Sequence, residues 1–285
     1  MPGFDALFSK LSRGFAINGK AKSTLNNYVR CLAHIALHYK RSPEKLSVEN
    51  IEDYLYYCQK LHRTPSESFF KHTIFGPGAA YKVMGMEAKR VALPQIERDL
   101  KLPTVLSQEE IKRLLKAPKY LKHRLILGML YGCGLRSYEL CDLKLADIDF
   151  DRQTVFVPKK KGKIDRYVPL SRHLIRGLKK YIKTENPRIY LFNSQVSKDG
   201  KARGLTTNGI RWVIKENRSK IGSSKKITAH TLRHSFATHL LEYGVDIVSL
   251  KELLGHAHIE MTLTYLHVAN LPSGSKFSPL DKLYG

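Results

Sequence analysis

Apolar residues recur every three or four positions through residues 20–40: Leu25, Tyr28, Leu32, Ile35, then His38 and Tyr39. That spacing matches one face of a helix. It predicts a helix over 20–40, with Ser23 and Thr24 as candidate caps. A second helix is predicted from Ser47, where S-V-E-N-I-E-D-Y-L puts acidic residues in the first turn, against the positive end of the helix dipole. A third is expected over 66–75. Gly76-Pro77-Gly78 should break it, and a fourth should follow over 79–86. The first 90 residues thus read as a small all-helical unit.

The pattern lapses over 93–103, where Pro94, Pro103 and a dense set of charges read as a linker. Ser107 with Glu110 three positions on has the form of a capping box and opens a second unit. That unit reads as helical with one β island. Residues 153–158 (QTVFVP) and 165–170 (DRYVPL) are short β-branched and aromatic runs. The lysine-rich 159–164 between them suits a hairpin turn, with Gly162 supplying an unusual φ. Helices are predicted near 171–183, 207–218, 230–243, 246–254 and 259–268. The expected fold is mainly α with a small antiparallel β-sheet in the second domain. Its expected limits are 1–92, a linker 93–103, a second domain 104–270 and a tail 271–285 that begins with turn residues.

Composition adds exclusions. Hydrophobic residues make up 42% of the 285 and charged residues 26%, enough apolar material for a core and unlike a disordered basic tail. The longest mainly apolar run, 125–135, is about half of what a bilayer requires, so no membrane span is expected. The N-terminal residues hold no apolar signal core, which argues against secretion. Cys31, Cys58, Cys133 and Cys141 show no C-x-x-C spacing; they exclude a disulfide scaffold and fit a reducing cytoplasm. The unusual quantity is charge: 49 Lys and Arg against 25 Asp and Glu give +24. Such a field concentrates polyanions, and nucleic acid is the leading partner. An anionic membrane surface, an acidic protein or solubility alone are the other readings.

Three segments carry candidate chemistry. In Gly132-Cys133-Gly134-Leu135-Arg136-Ser137-Tyr138-Glu139, an Arg follows a glycine turn at a helix start, where free N–H groups favour an anion. Glu139 shares its helix face and could orient the guanidinium; a plain surface Arg–Glu pair is the alternative. In His230-Thr231-Leu232-Arg233-His234, His230 and Arg233 share a face. Arg233 offers a fork of donors matched to phosphate, and His230 is suited to proton transfer near neutral pH. His230 and His234 also stand at the i, i+4 spacing of a zinc motif, but Thr231 occupies the place of its glutamate. His234 and His239 read as structural histidines, hydrogen-bonded within the fold. The third segment runs from Leu253-Leu254-Gly255-His256 to Thr264-Tyr265-Leu266-His267; Gly255 suits a helix C-cap, and Tyr265 alone would be read as core. Together these residues supply two fixed cations, acids and a hydroxyl nucleophile, the set for covalent phosphoryl transfer.

The four motifs G-C-G-L-R-S-Y-E-L, K-G-K-I-D-R-Y-V-P-L, H-T-L-R-H-S-F-A-T-H-L-L and L-L-G-H-A-H-I-E-M-T-L-T-Y-L-H-V occur in that order. In this the chain resembles the tyrosine recombinase (phage integrase) family, most of all its Xer-type and mobile-element integrase branch. The likeness covers 104–270 and extends more weakly to S-T-L-N-N-Y and L-S-V-E-N-I in the first unit.

The resemblance implies a two-domain C-shaped clamp, a helical core-binding domain beside the catalytic domain. It implies that Arg136 and Arg233 clamp the scissile phosphate of duplex DNA and Tyr265 attacks it, leaving a 3′-phosphotyrosyl link and a free 5′-hydroxyl. Lys161, directly before Gly162, would be the general acid. His230 would assist proton transfer, His256 would donate to a non-bridging oxygen, and Glu139 would support Arg136. Lys159, Lys160, Lys163 and Arg166, with Lys20, Lys22 and Arg30, are the candidate DNA contacts. Tyr243 matches a helix end and Tyr138 a packing position, so neither competes with Tyr265. No metal and no cofactor are expected, because the covalent link keeps the phosphodiester's energy. The resemblance further implies a homo-tetramer on two DNAs, a monomer free in solution, a tail that docks on a neighbouring subunit, and a cytoplasmic, nucleoid-associated enzyme. A type IB topoisomerase, an integron-type cassette recombinase and a catalytically silent DNA-binding protein are the alternatives. The absence of a large insertion between His173 and His230 leans away from cassette exchange.

Overall fold

The computed structural model describes residues 4–62, 67–86, 89, 102–158, 165–194 and 204–270. The chain divides into two compact units, Met1–Asp99 and Leu100–Gly285. It is mostly helical with one small antiparallel sheet, as the hydrophobic pattern predicts.

The first unit has four helices: α1 (Phe4–Ile17), α2 (Lys22–Tyr39), α3 (Val48–His62) and α4 (Glu67–Val83). Helix α1 precedes all the expected ones. Its buried Leu7, Leu11 and Phe15, one turn apart, pack with Leu25, Leu32 and Ala80. Helix α2 confirms the 20–40 periodicity, but its cap is Ala21, which offers no side-chain acceptor; Ser23 and Thr24 lie inside the helix. At the start of α3, Ser47 Oγ accepts from the Asn50 N–H and Asn50 Oδ1 accepts from the Ser47 N–H, each at 3.1 Å. These bonds satisfy donors that a helix start leaves free.

Gly76-Pro77-Gly78 does not break the chain. Helix α4 runs through it. Pro77 has no N–H and forgoes one bond to the preceding turn, yet packing retains the helix. A Cβ on Gly76 would stand 3.0 Å from the Tyr28 carbonyl oxygen, so the glycine is what lets α4 lie against α2. The buried Tyr81 hydroxyl then donates to the Leu46 carbonyl at 3.0 Å, tying α4 to the loop before α3.

In the second unit α5 (Gln108–Lys116) begins with the expected capping box: Ser107 Oγ accepts from the Glu110 N–H at 3.2 Å and Glu110 Oε2 from the Ser107 N–H at 2.8 Å. Helices α6 (Leu121–Gly132) and α7 (Ser137–Asp142) follow. Strands β1 (Ile148–Asp149), β2 (Thr154–Val157) and β3 (Arg166–Pro169) form an antiparallel sheet in that order, with Val155 opposite Val168 and Phe156 opposite Tyr167. Val155, Val157 and Val168 face the core and Tyr167 faces solvent, the alternation of a half-buried sheet. The two-residue β1 is too short for its pattern to announce. The unit continues through α8 (Arg172–Glu185), α9 (Thr207–Arg218), α10 (Ala229–Glu242), α11 (Ile247–Leu254) and α12 (Glu260–Leu263), then a 3-10 turn over Thr264–His267. Helix α10 is central: Leu232 joins the core built on α6, while Phe236, Ala237 and Leu241 pack with Leu250, Leu254 and Tyr265.

The hairpin turn 159–164, the tail 271–285 and linker residues 93–101 lie outside the described residues. All four cysteines are buried and none forms a disulfide. Among the described residues no helix is long and apolar enough to cross a membrane.

Candidate active site

The chain leaves α6 through Gly134, whose φ is +58°. A Cβ there would overlap the ring of Phe236, so only glycine satisfies both backbone and packing. This turn delivers Arg136 to the N-cap of α7. The Arg136 N–H donates to Glu139 Oε2 at 2.8 Å, and its Nη1 donates to Oε1 at 2.9 Å. The buried Glu139 also receives Nη1 and Nη2 of Arg166, at 3.0 and 2.8 Å, and Arg233 Nη1 stands 3.9 Å from it. Burial alone would raise the Glu139 pKa; hydrogen bonds and charge from Arg166 and Arg136 reverse this and hold it at about 2. One ionised carboxylate therefore gathers three guanidiniums. The excess is positive, in a desolvated place, where an added anion is strongly favoured.

Helix α10 sets Arg233 into this cluster at 3% exposure. Its Nη1 donates to the Gly134 carbonyl at 2.6 Å and its Nη2 to that of Leu254. A guanidinium has five donors, so this fork is locked in place with donors to spare. Gly255, in the left-handed conformation at φ +60°, ends α11 as expected and turns the chain to His256. The ring of His256 is buried, with Nδ1 2.9 Å from Thr262 Oγ1. Burial, then the charges of Arg233, Arg136 and Arg166, hold its pKa at about 3, so the ring is neutral. When Nδ1 accepts from Thr262, Nε2 carries the proton and is free to donate to an oxygen.

Tyr265 lies in the 3-10 turn, 4% exposed, its ring parallel to His256 with centroids 6.4 Å apart. Its hydroxyl is 3.0 Å from His234 Nδ1. Burial raises the phenol pKa, and Arg233 and Arg136 act against that rise. His230, in the first turn of α10, is exposed; burial of part of its ring, with Arg233 and Arg136, lowers its pKa. Tyr243, by contrast, sits exposed at the C-cap of α10.

The fold thus brings Arg136, Glu139, His230, Arg233, His256 and Tyr265 to one place. Lys161, with Lys159, Lys160 and Lys163, lies outside the described residues. Lys20, Lys22 and Arg30 are exposed on the first unit. Arg166 requires a correction. Expected on DNA, it is buried, spends both Nη atoms on Glu139 and donates Nε to the Leu253 carbonyl at 2.8 Å. It is a strut between β3, α7 and the end of α11. Two features escaped the sequence pattern. His234, classed with the structural histidines, touches the Tyr265 hydroxyl. Arg211, Lys215 and Arg218 form a row on α9 that, with Arg136, Tyr138 and His230, lines a groove of about 750 Å³. The row follows the i, i+4, i+7 helical period, a signal present in the sequence but indistinct in so basic a chain.

Residues 104–271 match the phage integrase family. The chain belongs to that family. A tyrosine recombinase of Thermosipho africanus is 31% identical over 276 residues, 92% of this chain and 94% of that one. Tyrosine recombinase XerA of Pyrococcus horikoshii is 33% identical over 258 residues, 88% of this chain and 85% of the other. Among solved structures, a lambda integrase tetramer bound to a Holliday junction superposes at TM-score 0.69 and 18% identity, over 92% of this chain and 76% of that chain. That likeness shows a common fold. With these relatives, the chain is a tyrosine-type site-specific recombinase.

Proposed function

We propose that this recombinase cleaves and rejoins duplex DNA at a specific site through a 3′-phosphotyrosyl intermediate, exchanging strands between two sites through a Holliday junction. The observation that carries the reading is the buried Tyr265 hydroxyl in the field of Arg136 and Arg233. Tyr265 attacks the phosphorus; Arg136 and Arg233 neutralise the non-bridging oxygens, and His256 Nε2 donates to one of them. His230 assists proton transfer. Lys161, assigned by its motif alone, protonates the leaving 5′ oxygen. Glu139 and Arg166 hold the guanidinium clamp in position. The groove row on α9 and the exposed Lys20, Lys22 and Arg30 grip the DNA backbone. The working unit is a homo-tetramer on two DNAs, a reading supported by the lambda integrase of like fold, a tetramer bound to a Holliday junction. The free protein is a cytoplasmic monomer, with a core-binding domain over 1–92, a catalytic domain over 104–270 and an exchanged tail.

A suicide substrate with a nick beside the site tests this reading. Wild type should accumulate a covalent protein–DNA adduct in the presence of EDTA. Tyr265→Phe should bind the same duplex and form none. An adduct that survives in Tyr265→Phe overturns the nucleophile; relaxation of plasmid without joining of two sites would favour the topoisomerase activity instead.

A further inference from the structure

His234 lies within hydrogen-bond distance of the reacting oxygen. Its Nδ1 is 3.0 Å from the Tyr265 hydroxyl, and the two rings are 5.6 Å apart at 50°. Resting on Tyr265 as nucleophile, we infer that His234 is the proton acceptor of Tyr265, a catalytic residue in its own right.

Three observations support it. The contact spans 31 residues of chain and joins α10 to the 3-10 turn, so it is built by the tertiary fold. His256, its ring nearly parallel to that of the tyrosine with centroids 6.4 Å apart, has its Nδ1 engaged by Thr262. Arg233, beside His234 in sequence, is a cation without acceptor capacity. Burial, then His230 and Arg233, hold the His234 pKa at about 4, which keeps the ring neutral and able to accept. The depression arises in a cluster whose three guanidiniums outnumber the single carboxylate of Glu139. A bound phosphodiester brings a negative charge against Arg136 and Arg233 and makes the imidazolium less costly as the reaction proceeds.

The Tyr265 proton passes to His234 Nδ1 as the phenolic oxygen bonds to phosphorus. The bond from phosphorus to the 5′ oxygen breaks, and that oxygen takes a proton from the general acid. Rejoining reverses each transfer. His230, exposed and with its ring centroid 6.4 Å from that of His234, stands on the solvent side of this path.

The test is single-turnover cleavage of the suicide substrate by His234→Asn, which keeps an acceptor oxygen near the place of Nδ1 but cannot hold a proton. Cleavage should fall at least about 100-fold with DNA binding retained, the scale of a lost general base. Incorporating 3,5-difluorotyrosine at 265, a more acidic phenol, should restore about tenfold or more to the variant and change the parent chain little. A merely positioning histidine predicts neither loss nor acidity-dependent recovery; His234→Asn cleaving within about threefold of wild type overturns the inference. A ¹⁵N spectrum of the unaltered protein decides independently of variant folding. A neutral His234 protonated at Nε2 supports the inference, and one protonated at Nδ1, donating to the phenol, refutes it. Tyr265→Phe is run in parallel: an adduct there sinks the nucleophile itself, whereas no adduct there with full activity in His234→Asn sinks this inference alone.

Discussion

Glu139 accepts from two guanidiniums and faces a third, all of them buried or nearly so. Removing its charge strands cations largely shielded from water. Glu139→Gln should therefore cost about 3–5 kcal/mol in urea unfolding, the scale for breaking a buried ion pair from one side. Its folded pKa of about 2 lies below an unfolded value of about 4.3. The stabilisation is complete above about pH 5 and drains away as pH falls toward 2, because the unfolded chain takes the proton first. Urea midpoints across that range should fall in wild type, and the variant should lack this component. The neutral histidines give a second window. His256 at about 3 and His234 at about 4 both sit below an unfolded value of about 6.5. Their contribution is present above about pH 6.5 and declines below it. His256→Asn should flatten part of the loss between about pH 6 and 4, and an unchanged slope there would contradict the burial argument.

At the scale of elements, two glycine sites make opposite points. Gly134→Ala meets both a positive φ and the Phe236 ring, so it should lose at least about 2 kcal/mol. The same residue's carbonyl seats Arg233, so adduct formation should fall further than stability alone explains. In α4 the residue that forgoes a helix bond is Pro77. Pro77→Ala restores an N–H to the helix interior and should stabilise the protein by about 1–3 kcal/mol, read as a higher urea midpoint. That helix also shows where local pattern stops being sufficient. Gly-Pro-Gly reads as a break because local preference favours one, yet contact with α2 outweighs it. Where local chemistry and packing agree, the elements are legible: the Ser107–Glu110 box opens α5, and the two β-branched runs pair as β2 and β3. Helix α1 was not among the predicted elements, although Leu7, Leu11 and Phe15 keep helical spacing. Most of the site is legible because motif order carries it. The partners of Arg166 and His234 are not, since Glu139 lies 27 residues from one and Tyr265 lies 31 from the other, and only folding joins them.

Over the whole molecule, the proposed function divides the +24 into charge that grips and charge that acts. The two respond differently to salt. Each exposed cation that neutralises a phosphate releases condensed counterions on binding, so log K falls with log salt by about 0.9 per contact. Lys20, Lys22 and Arg30 are exposed and outside the catalytic cluster. Replacing all three with Gln should weaken duplex binding at every salt concentration and reduce the slope by up to about 2.7. Arg233 is 3% exposed and pinned by two carbonyls. Arg233→Lys keeps the charge but loses the planar fork. It should leave the salt slope nearly unchanged while adduct formation collapses. Both slopes are best measured by KCl titration in a Tyr265→Phe background, where binding is uncoupled from cleavage. A triple variant with the parental slope would move the grip off the first unit and onto the α9 row. An Arg233→Lys slope reduced by about one would instead mean that the buried guanidinium contributes to general affinity, and that the division between gripping and acting charge does not hold.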